Sequence, residues 1–256
     1  MTPALPEVFL TTPLAHRALH DVCDGRPENS RAAIAAAVAA GYGIEIDVQL
    51  SADAGALVFH DYELARLAEA AGPVRARSTG DLRGIPLKGG DGEGIPTLPE
   101  VLALVAGRVP LLVEIKDQDG ALGPDVGPLE ASVAEALADY SGPVAVMSFN
   151  PHAVAEMAKL LPEVPRGLVT DPFEAADWPV PAETLARLRD IPDFKRTGSS
   201  FISHKWQDLS RPRVAELRKN GAAILCWTVK SPADEAQARQ VAQNITFEQY
   251  AAPHPA

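Results

Sequence analysis

The sequence predicts an α/β chain folded as a (β/α)8 TIM barrel, with a β-hairpin and a small inserted segment after the second strand. Three observations predict it. The chain has 256 residues, a common length for one barrel of this class. Short apolar runs alternate with helical periodicity through most of it. Once a single hairpin arm is set aside, the apolar runs number eight. The hydrophobic share of 46% supports a sizeable core and excludes wholesale disorder. No linker divides the sequence, so one domain over 1–256 is expected.

The elements follow in order. A strand is expected near 13–17. A helix capped by Asn29 or Ser30 runs to Ala40, with Ile34 and Val38 four apart and Gly41 as the stop. The second strand covers 43–50. Only Ser51 to Gly55 separate it from the apolar run 56–60. Parallel neighbours need a crossover of a dozen or more residues, so 56–60 must return antiparallel as a hairpin arm.

Residues 61–96 break the alternation. They hold seven glycines from Gly72 to Gly94, with Pro73, Pro86 and Pro96. A long Gly-rich connection in a compact domain reads as a lid or insertion, here over the barrel mouth. Thr97 then caps a helix carrying Leu98, Val101, Leu102 and Val105. Strands near 110–116, 144–149, 166–170, 200–204, 223–229 and 244–247 complete the set. Helices over 126–139, from Asn150-Pro151 to Leu161, and over 182–190, 212–220 and 232–242 lie between them. Ser210 and Ser231 precede the last two. After Phe247 only nine residues remain, two of them Pro, which leaves little for an eighth helix.

Charge narrows the partners. The 23 Lys+Arg against 34 Asp+Glu give a net charge of −11, which argues against nucleic acid or an anionic membrane surface. A small anionic substrate stays compatible, because a local site can be positive. No run approaches the length of a membrane span, and Met1 to Leu10 contain no Lys or Arg, so neither a membrane segment nor a secretory signal is expected. Cys23 and Cys226 exclude a disulfide scaffold and fit a cytoplasmic protein. The sequence leaves the oligomeric state open.

Polar residues stand where buried strands should carry none. In Gly43-Ile44-Glu45-Ile46-Asp47-Val48, alternation puts Glu45 and Asp47 on one face, towards the barrel axis. Glu114 and Lys116 repeat the spacing on the third strand. Adjacent inward carboxylates need a compensating cation. Glu45, Asp47 and Glu114 form an all-oxygen set without Cys, which favours Mg²⁺ or Ca²⁺ over zinc. The alternative is structural, with Glu45 and Lys116 as a buried ion pair and Asp47 capping a turn. His16 ends the first strand and His60 the hairpin arm, a pair suited to acid–base work near neutral pH. Arg17 carries the planar fork that reads phosphate. Phe149 and Trp227, at strand ends, are candidates to line a pocket, and His204 ends the sixth strand.

Taken in order, His16-Arg17, Pro27-Glu28-Asn29-Ser30, Glu45-Ile46-Asp47-Val48, Val58-Phe59-His60-Asp61, Glu114-Ile115-Lys116 and Trp227-Thr228-Val229 resemble the motifs of glycerophosphodiester phosphodiesterases. The resemblance runs from about residue 13 to 230. It implies a barrel related to phosphatidylinositol-specific phospholipase C, a catalytic divalent ion, and a small inserted module at 61–96. It matches His16 and His60 to the catalytic histidines and Glu45, Asp47 and Glu114 to the metal ligands. It matches Arg17 and Lys116 to phosphate contacts and Glu28 to a supporting acid. The chain departs from the pattern at Ala18, where the family has Gly, at Lys230, where it has Asn, and at Thr246-Phe247, where a T-D is expected.

The implied reaction is hydrolysis of glycerophosphodiesters to sn-glycerol 3-phosphate and an alcohol. Rival readings are a lysophospholipase D-like or cyclic-phosphate-forming enzyme, with the 61–96 segment admitting an acyl chain, and a non-catalytic phosphate-binding barrel.

Overall fold

The computed structural model describes residues 2–254. In chain order the helices and strands are α1 (Val8–Thr11), β1 (Leu14–Ala15), α2 (Arg31–Ala40), β2 (Gly43–Leu50), β3 (Ala56–Val58), α3 (Thr79–Arg83) and α4 (Leu98–Val105). Then come β4 (Leu111–Ile115), α5 (Pro128–Leu137), β5 (Val144–Ser148), α6 (Pro151–Leu160), β6 (Arg166–Thr170) and α7 (Ala182–Arg189). The series ends with β7 (Phe201–Lys205), α8 (Pro212–Lys219), β8 (Ala223–Val229), α9 (Pro232–Ala238) and β9 (Asn244–Phe247). Apart from β3, these strands are parallel and alternate with helices, which is the (β/α)8 barrel class. Among the described residues no helix follows β9. None is long and apolar enough to cross a membrane.

The chain divides into two compact units. One comprises Leu14–Lys116 and Gly127–Val144. Here β2 lies between β1 and β4, parallel to both, and pairs antiparallel with β3. The β2–β4 register sets Asp47 opposite Glu114 and Glu45 opposite Leu112. Ser30 Oγ accepts the Ala33 N–H at 3.0 Å to cap α2, and Gly41, at φ 75°, ends it. Thr97 and Glu100 make a reciprocal capping box at α4.

The β2–β3 turn is fastened at several points. Ser51 Oγ donates to Asp53 Oδ1 at 2.6 Å and accepts the Gly55 N–H at 2.7 Å. Asp53 Oδ1 also accepts the N–H and hydroxyl of Thr79, each at 2.8 Å. A Cβ on Gly55 would lie 2.2 Å from Thr79 Oγ1.

The 61–96 segment is built from short helical turns rather than open loop. Single 3₁₀ turns at Leu64–Arg66 and Val74–Ala76 and the short α3 lie within it. Leu64, Ala68, Val74, Leu82, Leu87 and Ile95 cluster with Leu57 and Phe59 of the return arm. The glycine and proline spacing concealed this core, because a handful of spaced apolar residues shows no period. Glu93 ties the segment to α2, accepting the Arg31 N–H at 2.9 Å and the Ala32 N–H at 3.2 Å. These are unsatisfied first-turn donors, and the carboxylate suits the positive end of the helix.

The other unit comprises Met1–Pro13, Asp117–Val126 and Ala145–Ala256. In it β5 to β9 pair in parallel sequence, with His204 opposite both Thr170 and Cys226. Gly167 is required, since a Cβ there would come within 2.4 Å of the Phe201 ring. Asn150 caps α6 and Ser231 caps α9 as their sequence positions suggest. Ser210 does not cap α8, where Arg211 precedes the helix without a side-chain bond. Cys23 and Cys226 are both free thiols.

Candidate active site

Strand register brings the acidic residues together. Glu45, Asp47 and Glu114 are 2%, 1% and 7% exposed, and one oxygen of each lies within 4.8 Å of the others. The Lys116 ammonium donates to Asp47 Oδ1 at 2.7 Å and to Glu114 Oε1 at 2.6 Å. Glu45 instead accepts a backbone N–H, from Arg17 at 3.0 Å. The two β2 carboxyls are driven apart in acidity. Burial first, then the charges of Asp47 and Glu114, push Glu45 well above the usual carboxylate range. Burial also acts against Asp47, but Lys116, His60 and Arg17 override it and hold that carboxyl far below its ordinary value. Lys116 has its own pKa raised, since the two carboxylates outweigh its burial. Lys116, with an Arg17 that it shares with Glu28, leaves three buried carboxylates short of positive charge. An all-oxygen set of this kind fits a hard divalent ion, and these residues could hold one.

The chain after β1 turns sharply. The sequence predicted a strand to residue 17, but β1 stops at Ala15, and Arg17 and Ala18 adopt φ 52° and 66°. Their left-handed backbone ends the extension and lets the Ala18 N–H reach the Glu45 carbonyl at 3.0 Å. The glycine that the motif resemblance expects at position 18 has its physical reason in that φ. Partly buried His16 sits between β1 and this bend. Arg17 Nη1 donates to Glu28 Oε1 at 2.7 Å. Its buried Nε lies 3.7 Å from Asp47 Oδ2 and makes no hydrogen bond.

Asn29, offered by the sequence as a cap for α2, leaves that role to Ser30 and brackets Asp47 instead. Its Nδ2 donates to Asp47 Oδ2 at 2.9 Å, and its Oδ1 accepts the Asp47 N–H at 3.3 Å. Gln49 donates from Nε2 to the His60 carbonyl at 3.0 Å, steadying the return arm. Asp61 Oδ1 lies 2.7 Å from His60 Nδ1. Asp61 is held well below its usual pKa, because Arg66 and His60 overcome its burial. An ionised Asp61 makes Nδ1 the donor nitrogen and leaves Nε2 as the one open to proton exchange. Arg66, on the inserted segment, also binds Glu28, with contacts of 2.9 and 3.0 Å. An arginine in an insertion carries no sequence signal of its own, and only the fold shows what it touches.

Phe149, Trp227 and His204 belong to the other unit. Phe149 meets Trp227 edge-on at 5.5 Å between ring centroids, and it also contacts Phe173 and Trp178. Trp227 Nε1 donates to the Ser203 carbonyl at 3.0 Å. Buried His204 has Thr170 Oγ1 at 2.8 Å on Nδ1 and Asp208 Oδ2 at 3.2 Å on Nε2. Its pKa is lowered by burial. Lys230 pairs with Glu248 at 2.7 Å.

Residues 16–246 match the glycerophosphoryl diester phosphodiesterase family, a stretch that includes every polar residue of this site. The chain belongs to that family. A glycerophosphodiester phosphodiesterase of Caldanaerobacter subterraneus is 28% identical over 218 residues, 81% of this chain and 82% of its own. YhdW of Bacillus subtilis, provisionally named for the same activity, is 28% identical over 215 residues, 80% of this chain and 82% of its own. An Oleispira antarctica phosphodiesterase solved with its product sn-glycerol-3-phosphate has the same fold, with a TM-score of 0.77, 23% identity and 94% of each chain covered. As a glycerophosphoryl diester phosphodiesterase family member, the chain meets the expectation its motifs raised.

Proposed function

We propose that this family member hydrolyses glycerophosphodiesters to sn-glycerol 3-phosphate and an alcohol. The observation that carries the reading is the convergence, within one compact unit, of a carboxylate trio with the Arg17–Glu28 and His60–Asp61 pairs. Glu45, Asp47 and Glu114 would hold the divalent ion, Mg²⁺ or Ca²⁺. Bound there, the ion supplies Lewis-acid charge to a phosphoryl oxygen.

The rest falls to side chains. Arg17, anchored through Nη1 by Glu28, places its positive charge beside the phosphate, and despite burial its pKa is raised by Asp47 and Glu28, which keeps it cationic. Lys116 adds positive charge beside the same carboxylates. His16 takes a proton from the attacking hydroxyl, water or the substrate's own glycerol hydroxyl. His60, with Nδ1 engaged by Asp61, delivers a proton from Nε2 to the leaving alkoxide. The substrate is a small molecule, and the free thiols support a cytoplasmic setting.

Apart from exposed Tyr62, the large apolar side chains of the 61–96 segment go mainly into its own core, which disfavours an acyl-chain site there. Both histidines and all three acids are present, which disfavours a non-catalytic barrel. Purified protein with glycerophosphocholine should release glycerol 3-phosphate, stop on addition of chelator, and recover with Mg²⁺ or Ca²⁺. Failure to cleave any of a panel of glycerophosphodiesters with either ion would overturn the reading, and a persistent cyclic phosphate by phosphorus NMR would redirect it.

A further inference from the structure

We infer that Arg66 is a positioning residue for this reaction, holding His60 through Asp61 and Arg17 through Glu28 at the same time. The inference rests on the roles proposed above for His60 and Arg17.

The geometry is a double fork. Arg66 Nε and Nη2 donate to Asp61 Oδ2 and Oδ1, both at 2.6 Å. Nη1 and Nη2 donate to Glu28 Oε2 and Oε1 at 2.9 and 3.0 Å. Each carboxylate then passes its position on. Asp61 Oδ1 meets His60 Nδ1 at 2.7 Å, and Glu28 Oε1 accepts from Arg17 Nη1 at 2.7 Å. One guanidinium thus sits between the two carboxylates that orient the proton donor and the phosphate-facing cation.

A stability role explains this poorly. The Arg66 side chain is 49% exposed, and ion pairs so placed contribute little to folding. Only arginine offers donors for two bidentate partners, since a lysine ammonium is a point charge on a flexible stem. The backbone beneath is fixed, because Leu64 of the same 3₁₀ turn is buried in the segment's core. Arg66 therefore makes the insertion part of the site without touching the substrate.

The test compares two leaving groups. Arg66→Ala, Arg66→Lys, Asp61→Asn and His60→Ala are assayed on glycerophosphocholine and on a p-nitrophenyl glycerophosphodiester, with thermal melting of each. A p-nitrophenolate leaving group hardly needs a proton, so loss of acid catalysis shows mainly on the alkyl diester. Expected for Arg66→Ala is a ~10–100-fold fall in kcat on glycerophosphocholine, the usual scale for groups that orient first-contact residues. The fall on the aryl diester should be several-fold smaller, and KM should rise on both substrates as Arg17 loosens. Both Arg66 variants should melt close to wild type, and Arg66→Lys should recover little of the kcat. In the Asp61→Asn background, Arg66→Ala should add no further leaving-group dependence.

Equal losses on the two substrates, or full activity of Arg66→Lys, would overturn the inference while His60→Ala still discriminates between them. If His60→Ala damages both substrates alike, the acid assignment itself is wrong and the Asp61 limb of the inference goes with it.

Discussion

Strands β2 and β4 hold Glu45, Asp47 and Glu114 by backbone register, whereas the inserted segment reaches His60 and Glu28 through the side chain of Arg66. Register has period two, so the three acids either face inward together or not at all. A side-chain clamp is local, and each bond can be loosened singly. The sheet therefore governs whether charge can gather at the site, and the clamp governs how accurately acid and cation are aimed.

The sheet side should yield the largest effects. Asp47→Ala or Glu45→Ala should lower kcat/KM by ~10³-fold or more, since a bound ion supplies several kcal/mol of transition-state stabilisation. Calorimetric titration with Mg²⁺ and Ca²⁺ should show the site lost while circular dichroism stays native. An Asp47→Ala protein fully active in excess chelator would end the comparison. On the clamp side, His60→Ala should cost ~10²–10⁴-fold on alkyl diesters and much less on an aryl diester, read by steady-state rates. His16→Ala, removing the base, should harm both alike, and the opposite pattern would exchange the two roles.

Asn29→Ala sharpens the contrast because it changes no ligand. It removes the Asn29 bonds to the Asp47 carboxylate and N–H and should weaken the ion by ~10–100-fold in a metal titration. An unchanged affinity would show that register alone aims Asp47.

The fold and the acidic cluster were legible because both obey a period. Alternating Glu45 and Asp47, matched by Glu114 and Lys116, announce an inward charged face, and eight apolar runs announce the strands. The sequence offers Asn29 only as a possible helix cap and gives Arg66 no signal, because their partners lie 18 residues away at Asp47 and 38 away at Glu28, with no period linking them. The ordered core of the 61–96 segment was hidden for a similar reason, its glycines and prolines masking helices of a single turn. The expected first strand runs on through Arg17 because an arginine does not signal a positive φ.

The clamp also predicts a pH effect. Burial alone would raise the Glu28 pKa, but Arg66 and Arg17 hold it below its ordinary value, and Asp61 is lowered by Arg66 and His60. Folded values below the unfolded ~4 mean that this contribution is present above about pH 4 and fades as pH falls through the folded values. Urea denaturation should show wild type only slightly more stable than Arg66→Ala at pH 7, as suits half-exposed ion pairs, with that small gap closing in acid. A gap that widens in acid would contradict the clamp. The smallest effect concerns Ala18, whose φ of 66° suits glycine. Ala18→Gly should raise the urea midpoint by the equivalent of ~1 kcal/mol at constant slope.

The five residues between β2 and β3 work as a spacer of fixed length. Ser51 is bonded to Asp53, Gly55 and Thr79, and Asp53 to Thr79, with no room for a side chain at Gly55. A surface hairpin turn would ordinarily be the first place to graft a loop or open the chain. Here one added residue would displace His60 by ~3 Å, a full strand step, and turn its side chain to the opposite face. For anyone re-engineering this enzyme, that turn belongs with the catalytic residues as a position to leave untouched.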